Sequence, residues 1–356
     1  MMKIRKTIFG ELEDGKDIEL FDIKHEDGSE IKITNYGATI VSLKVPDKIG
    51  YIEDVVLGFD NLENYRDIRN FYGAIVGRYG NRIAKGTFAL NGVKYQLPIN
   101  EGNNSLHGGE NGFDRVVWEA EEIDDDKTPG IKMTYLSKDG EEGYPGNLEV
   151  TVTYTFTKGH ELRIDYKVVS DKLTVKNITN HSYFNLSGNV KNNILDHELH
   201  LKAEKFLPVK EGLIPIGEYR YVKGTPMDFT KSYKIGDRIN SDDMQLKIAK
   251  GYDHTWILEK EKNTLDFAGS VYEPNSGRFM EIFTTEPGVQ FYSGNFLDGS
   301  HLGHNGTPYK HRDAFCLQTQ HFPDSPNHPE FPNTVIGPGE VYKSSTIYRF
   351  SVKESE

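Results

Sequence analysis

Apolar and polar residues alternate with a period of two along much of the chain. In "LEVTVTYTFTKGHELRIDYKVV" (residues 148–169), every second residue from 148 to 156 is apolar, and the alternation resumes from 162 to 168 after a turn at 158–160. This pattern predicts a long antiparallel hairpin with one buried face. A second hairpin is predicted in "GTFALNGVKYQLP" (residues 86–98), where Asn91-Gly92 suits a two-residue turn.

Several shorter segments carry the same alternation and helical periodicity is scarce. Further strands are predicted at residues 31–34, 40–45, 55–58, 131–136, 198–203, 278–284, 289–293 and 346–352. One short helix is predicted at 62–68, and "MQLKIAKGYDH" (244–254) is expected to begin as a turn or a strand. Many short strands separated by turn residues predict an all-β fold, a large antiparallel β-sandwich. We expect residues 1–356 to form a single domain.

Composition narrows the class of protein. The 356 residues can bury a core without disulfides, and the lone cysteine, Cys316, fits a small core residue between Phe315 and Leu317. The formal net charge of −12 disfavours nucleic acid as a partner. No signal-like segment begins the chain, and no run approaches the roughly 20 apolar residues that span a bilayer. We therefore expect a cytoplasmic protein without a membrane partner.

Common catalytic and metal-binding motifs are absent. The sequence has no G-x-S-x-G elbow, no Walker loop and no Cys-x-x-Cys pair. The pair His301 and His304 in "HLGH" could contribute to a metal site, but no convincing third ligand accompanies it. We expect no bound metal.

Two glycine-flanked segments present polar side chains beside apolar strands. "YGNRIAKG" carries Asn81 and Arg82, and the guanidinium offers several donors for ligand hydroxyls. Taken alone, Arg82 is more simply interpreted as a surface arginine. "NEGNNSLHGGENGFD" carries His107 before two glycines, and a histidine in such a loop is as often structural as functional.

Two further segments favour a polar cleft. In "NITNHSYFNLSG", His181, Tyr183 and Asn185 share one side if the segment is extended, which suits the wall of a cleft better than a core. In "KGYDHTWIL", Asp253 can accept hydrogen bonds from vicinal hydroxyls, although a turn or cap role is common for such an aspartate. Trp256 is expected in the core rather than against a sugar.

Seven motifs in order resemble those of the galactose mutarotases, or aldose 1-epimerases. They are "GNRIAKG", "NNSLHGG", "GYPG", "TNHSYFNL", "GYDH", "PGVQFYSGN" and "FPDSPNHPEFP", and together they cover almost the whole chain. The resemblance implies a large antiparallel β-sandwich with an open cleft. It also implies an enzyme that interconverts the α and β anomers of aldohexoses such as galactose and glucose, without metal or cofactor.

The resemblance assigns roles to specific residues. A carboxylate removes the proton of the anomeric hydroxyl, an imidazolium protonates the ring oxygen, and the opened sugar rotates and closes again. His181 matches the proton donor, and His107 matches the second histidine near the ring oxygen. The positions that match sugar-binding residues are Asn81, Arg82, Tyr183, Asp253 and Gln290.

One position departs from the family pattern. The family's general base is a glutamate in "CLETQ", whereas this chain reads "CLQTQ", so Gln318 occupies that position. An amide can bind the anomeric hydroxyl but cannot accept its proton. Asp324 and Glu330 lie beyond Pro323 and are not expected to reach. Either the amide is an introduced substitution, which the intact remaining motifs favour, or the natural protein has lost its base.

The missing carboxylate leaves two alternatives open. The main one is a non-catalytic carbohydrate-binding protein on the same fold. The other is a glycosidase, which needs two acids facing one cleft, and only Asp253 can be nominated. The resemblance favours a monomer or weak homodimer, and the preferred aldohexose is left open.

Overall fold

The computed structural model describes residues 3–123, 125 and 128–353, and strands dominate it. The largest sheet has nine strands, and every pair of neighbours in it is antiparallel. In spatial order the strands are Glu119–Ile123, Gly130–Ser137, Leu148–Phe156, Glu161–Ser170, Val341–Val352, Arg278–Thr284, Asp266–Tyr272, Glu198–Leu201 and Tyr233–Lys234. The C-terminal strand therefore lies in the middle of the sheet.

Two five-stranded antiparallel sheets complete the main architecture. The N-terminal sheet is a meander of Lys3–Glu11, Asp17–Lys24, Glu30–Thr34, Thr39–Pro46 and Ile52–Asp54. The other sheet, here called the cleft sheet, contains Arg220–Tyr221, Lys205–Phe206, Asp253–Ile257, Gly288–Tyr292 and Cys316–Gln320 in spatial order.

Short elements connect these sheets. Within the described residues, five two-stranded ladders pair Arg82–Ile83 with Ser105–Leu106, Ile75–Val76 with Thr179–Asn180, Thr87–Leu90 with Val93–Gln96, Thr174–Val175 with Val335–Ile336, and Val209–Lys210 with Ile214–Pro215. The α-helices of the described chain are Leu62–Asp67 and Met244–Ala249. Single 3₁₀ turns occupy Ala84–Gly86, Phe113–Arg115, Glu141–Gly143, Ile194–Asp196, Ile235–Asp237, His304–Gly306 and Ser325–Asn327.

One hydrophobic cluster joins the three large sheets. It includes Leu43 of the N-terminal sheet, Val152 of the nine-stranded sheet, and Trp256, Phe291 and Leu317 of the cleft sheet. In the long hairpin, residues 148, 150, 152, 154 and 156 are buried while their neighbours are exposed or half-buried, as the alternation predicted. The all-β sandwich is confirmed.

Most predicted elements are found, and two differ. The helix at 62–68 and both hairpins are confirmed within a residue or two. The predicted strand 55–58 is wrong, because the strand ends at Asp54 and only Val56 forms a bridge, to Phe184. The segment from Met244 begins as a helix, not as a turn or strand. Asp243 caps this helix by accepting a hydrogen bond from the Gln245 N–H.

No helix in the described part of the chain is long and apolar enough to cross a membrane.

Candidate active site

A cavity of about 150 Å³ lies over the cleft sheet, and it is here called the histidine cavity. It is lined by seven of the eight predicted site residues, Asn81, Arg82, His107, His181, Tyr183, Asp253 and Gln318. Asn70, Phe71, Glu101, Leu106, Tyr292 and Phe296 complete its wall. Residues far apart in the sequence therefore converge here, as the motif pattern predicted.

The cleft sheet supplies the floor through strand alternation. Asp253 is opposite Tyr292, which is opposite Cys316, and Gln290 is opposite Gln318 in the next row. Side chains of opposing residues lie on the same face of a sheet. The intervening residues, among them Trp256, Phe291 and Leu317, face the core. The same strands therefore carry apolar groups inward and polar groups to the cavity, and Trp256 is a core residue as predicted.

His181 lies just after the short strand Thr179–Asn180, and the Ala74 carbonyl accepts a hydrogen bond from its backbone N–H at 2.8 Å. Its ring stacks on Tyr183 with centroids 5.0 Å apart, and its Nδ1 lies 3.7 Å from the Cys316 thiol. Burial lowers the pKa of His181 to about 4. No charged partner offsets that burial, so the ring is neutral near pH 7.

His107 faces His181 across the cavity, with ring centroids 5.1 Å apart. Its Nδ1 accepts a hydrogen bond from the Asn81 backbone N–H at 3.0 Å, which leaves the ring proton of the neutral form on Nε2. Burial, together with the charges of neighbouring groups, lowers its pKa well below the usual value. The loop requires glycine next, because a Cβ on Gly108 would lie 1.8 Å from the Gly77 carbonyl oxygen.

Arg82 is buried and organises the two carboxylates of the cavity. Its guanidinium forms a salt bridge with Glu101 at 2.8 Å and lies 3.9 Å from Asp253 Oδ2. Interpreting Arg82 as a surface residue is therefore wrong. Burial raises the pKa of Asp253, against the charge of Arg82 and the hydrogen bond from Gln290.

Gln318 brings an amide to the cavity floor, two residues along the strand from Cys316. It is 3% exposed, and within the described chain its Oε1 is buried without a hydrogen-bond partner. A buried acceptor without a partner costs about 1–3 kcal/mol, so a ligand hydroxyl that donates to it would recover that free energy. Gln318 therefore brings an unsatisfied acceptor to the lining of the cavity.

Gln290 does not line the cavity. Its Nε2 donates to Asp253 Oδ1 at 2.7 Å, and its Oε1 accepts from the Thr255 hydroxyl. The side chain thus supports Asp253 from behind. Asn185 also differs from the expected His/Tyr/Asn wall, since its amide donates to the backbone carbonyls of Asn192 and Asp313 at 2.7 Å.

Other candidates lie elsewhere. His301 bonds the Tyr72 hydroxyl and His304 bonds Asp60. Within the described residues, no group of three or more His, Cys, Asp or Glu side chains could hold a metal ion. Asp324 accepts from the Ala84 N–H and Glu330 pairs with His328, so neither carboxylate lines the cavity.

Phe71 and Glu101 were missed by the sequence reasoning. Phe71 packs against His107 with ring centroids 4.6 Å apart, and its φ of +59° is unusual for a bulky residue. Glu101 lies in the segment "NEGNNSLHGG". Nothing in its distance from Arg82 along the sequence indicates that the two side chains form a salt bridge.

Comparisons with known proteins identify the family of this chain. The family described as Aldose 1-epimerase matches residues 19–349. The chain belongs to the aldose 1-epimerase family. It is 44% identical to the galactose mutarotase of Homo sapiens over 355 residues, covering 99% of this chain and 100% of that protein. It is 37% identical to the aldose 1-epimerase of Escherichia coli K12, covering 95% and 96%.

Solved structures of the aldose 1-epimerase family share the fold. A galactose 1-epimerase from Lactobacillus acidophilus superimposes with a TM-score of 0.87 at 30% identity, covering 99% of both chains. The Caenorhabditis elegans aldose epimerase homologue gives a TM-score of 0.84 at 25% identity. This chain is accordingly an isomerase of the aldose 1-epimerase family with a sugar substrate.

Proposed function

We propose that the histidine cavity binds an aldohexose such as galactose or glucose, and that Gln318 makes anomer interconversion slow in this chain. The observation that carries the proposal is the convergence of His107, His181 and Gln318 on one cavity, where the Gln318 oxygen has no hydrogen-bond partner among the described residues. The human and bovine relatives are both galactose mutarotases, which supports the choice of substrate class.

Ring opening requires a base at the anomeric hydroxyl and an acid at the neighbouring ring oxygen. In the proposed complex, the anomeric hydroxyl donates to Gln318 Oε1, while His181 and His107 lie beside the ring oxygen. Asn81, Arg82, Tyr183 and Asp253 bind the remaining hydroxyls, with Gln290 holding Asp253 in place. Each well-placed proton transfer accelerates a reaction by roughly 10²–10⁴.

Replacing a carboxylate by an amide removes more than the base. A carboxylate at position 318 would raise the pKa of His181, because a nearby negative charge favours the imidazolium. With Gln318, burial holds the pKa of His181 at about 4. Both the proton acceptor and the proton donor are therefore missing near neutral pH.

The test is polarimetry on freshly dissolved α-galactose. The Gln318→Glu variant is expected to accelerate mutarotation by about 10²–10⁴ relative to the unaltered chain. Gln318→Met is the control, because it keeps a similar volume without an acceptor; it is expected to bind sugar more weakly and to remain slow. Equal rates for the Gln and Glu forms would contradict the assignment of position 318.

A non-catalytic carbohydrate-binding protein is the second candidate, and the amide itself favours it. In that case Gln318→Glu leaves mutarotation at the solvent background although galactose still binds. A glycosidase is less well supported, since the cavity carboxylates Glu101 and Asp253 both face Arg82 rather than standing free. Release of nitrophenol from nitrophenyl galactosides tests it.

The remaining expectations form part of the same proposal. The continuous hydrophobic cluster supports a single domain over residues 1–356. The net charge of −12 supports the absence of a nucleic-acid partner. We further propose a cytoplasmic monomer or weak homodimer without a membrane partner.

A further inference from the structure

A second and larger cavity, of about 400 Å³, lies at one end of the cleft sheet, and it is here called the lysine cavity. Leu258 follows the strand Asp253–Ile257, Pro287 precedes Gly288–Tyr292, and His321 follows Cys316–Gln320. The opposite wall comes from the nine-stranded sheet. Thr285 follows its strand Arg278–Thr284, and Tyr342 lies within its strand Val341–Val352. The volume falls in the range typical of small-molecule sites.

The lysine cavity is separate from the histidine cavity. The two share no lining residue. Gln318 lies in the histidine cavity, whereas His321, three residues further along, lines the lysine cavity. Nothing in the proposed sugar chemistry uses this second space.

Lysines outnumber carboxylates on the lining of the lysine cavity. Lys260, Lys262 and Lys343 line it together with the carboxylates Glu261 and Glu330, in a chain whose formal net charge is −12. A fourth cation, Lys176, is buried beneath it, with its Nζ 3.5 Å from the centre of the Tyr342 ring. Burial lowers the pKa of Lys176 to about 8, and the charge of Lys262 acts in the same direction.

The nearby carboxylates do not fully balance these lysines. Glu286, buried below the cavity, already accepts from His321 Nδ1 at 2.6 Å and from the Tyr342 and Ser344 hydroxyls. Glu330 lies 2.9 Å from His328, and Glu261 is the other carboxylate that lines the cavity. Burial also lowers the pKa of Lys260, against the charge of Glu286. Four lysines, counting Lys176, therefore stand against three carboxylates, Glu261, Glu286 and Glu330, and a bound anion would supply the missing negative charge.

An aromatic wall adjoins this charged rim. Tyr219 is 43% exposed and stacks on Phe331, with centroids 5.8 Å apart and an interplanar angle of 16°. Leu258, Pro287 and Pro332 extend the apolar surface. Exposed aromatic faces of this kind pack against planar rings and against the apolar faces of sugars. On the floor of the cavity, His321 Nδ1 is hydrogen-bonded to Glu286. Its Nε2 is therefore the ring nitrogen that could bond a ligand.

We propose that the lysine cavity is a second ligand site, which binds a phosphate monoester of a ring compound. The phosphate is held by Lys260, Lys262 and Lys343, since lysine binds phosphate as a point charge. The organic ring packs against Tyr219. A hexose phosphate and a mononucleotide share this chemistry, and the experiment distinguishes them.

The test is calorimetric titration of the full chain with galactose 1-phosphate, uridine monophosphate and inorganic phosphate, each without galactose and again in the presence of saturating galactose. At least one ester is expected to bind, and to bind more tightly than inorganic phosphate. The double variant Lys262→Ala/Lys343→Ala is expected to weaken that binding about fivefold to tenfold. Lys94→Ala/Lys158→Ala removes the same charge from exposed positions outside the cavity and is expected to leave binding unchanged.

The Tyr219→Ala variant tests the contribution of the ligand's organic ring separately from that of its phosphate. It is expected to weaken the ester severalfold while leaving inorganic phosphate unaffected. The proposal is overturned if neither ester binds, if esters bind no better than inorganic phosphate, or if both lysine pairs have equal effects. Loss of binding on addition of galactose also overturns it, because the ester would then occupy the histidine cavity. None of these outcomes depends on mutarotation.

Discussion

His181 and His321 are imidazoles beside the same strand, Cys316–Gln320, in contrasting surroundings. His181 contacts the Cys316 thiol and aromatic rings, and burial lowers its pKa to about 4. His321 instead donates to the Glu286 carboxylate at 2.6 Å, and burial lowers its pKa also, but there the charge of Glu286 opposes the shift. Burial alone would raise the pKa of Glu286, but His321, Lys176 and the Ser344 hydroxyl hold it at about 2.

The difference shows what one carboxylate contributes to a buried imidazole. Beside Glu286, an ionised group is kept in the interior because hydrogen-bond donors and cations compensate its loss of hydration. Beside Gln318, nothing compensates a charge on His181, so the neutral form prevails. A buried histidine can hold a proton near neutral pH only where such a partner offsets the cost of burial.

Removing the carboxylate from the His321 site is expected to have the largest effect on stability. Glu286→Gln keeps the shape but removes the charge on which His321, Tyr342 and Lys176 depend, so Lys176 is left buried without its counter-charge. The free energy of unfolding is expected to fall by about 3–5 kcal/mol. Urea unfolding at pH 7 measures it.

Glu281→Gln is the matched control for this change. Glu281 lies in the strand Arg278–Thr284, and its carboxylate is 4.0 Å from the Arg349 guanidinium, with both side chains partly exposed. A surface pair of this kind contributes at most about 1 kcal/mol. An equal fall in the free energy of unfolding for the two variants would show that the interactions of Glu286 contribute no more to stability than a surface ion pair does.

Protonation of the uncompensated histidines is expected to destabilise the fold in acid. Burial lowers the pKa of His181 to about 4 and that of His254 to about 3, whereas an unfolded histidine titrates near 6.5. Between these values the unfolded chain binds more protons, so stability falls as the pH falls from about 6.5 to 4. Each histidine contributes a loss on the order of 3 kcal/mol.

Unfolding midpoints measured across that pH window test this expectation. His254→Asn should give a shallower pH dependence than the unaltered chain, because one proton uptake is removed. A stability that stays level or rises as the pH falls from 6.5 to 4 would contradict the assigned pKa shifts.

The sequence predicted many of the strands and most of the residues that line the histidine cavity, but not the partners that surround each side chain. Period-two alternation located the long hairpin because one face is buried, and the motifs located His107, His181 and Gln318. The pairing of Arg82 with Glu101, the Phe71 contact and the position of Gln290 behind Asp253 were not predictable. They depend on chain crossings and side-chain directions that no local pattern encodes.

A carboxylate at position 318 should give the His181 ring a negatively charged neighbour, as Glu286 does for His321. In Gln318→Glu, the pKa of His181 is expected to rise by at least about one unit, equivalent to about 1.4 kcal/mol. Titration of the histidine ring resonances by NMR measures it. His254 lies on the opposite face of the cleft sheet and serves as the internal control, so an equal rise at both rings would point to a general change in the fold.

The smallest effect concerns the support of Asp253 by Gln290. Gln290→Met removes the 2.7 Å hydrogen bond to Asp253 Oδ1 while keeping similar volume, and the affinity for galactose is expected to fall about fivefold. Thr255→Val removes only the hydroxyl that orients the same amide, so calorimetry should show a smaller loss. If the Thr255 change weakened binding as much as the Gln290 change, the donation to Asp253 would not be the interaction that matters. The hydrogen bond compensates the Asp253 carboxylate as His321 compensates Glu286, but with a single neutral donor, and its effect should be correspondingly modest.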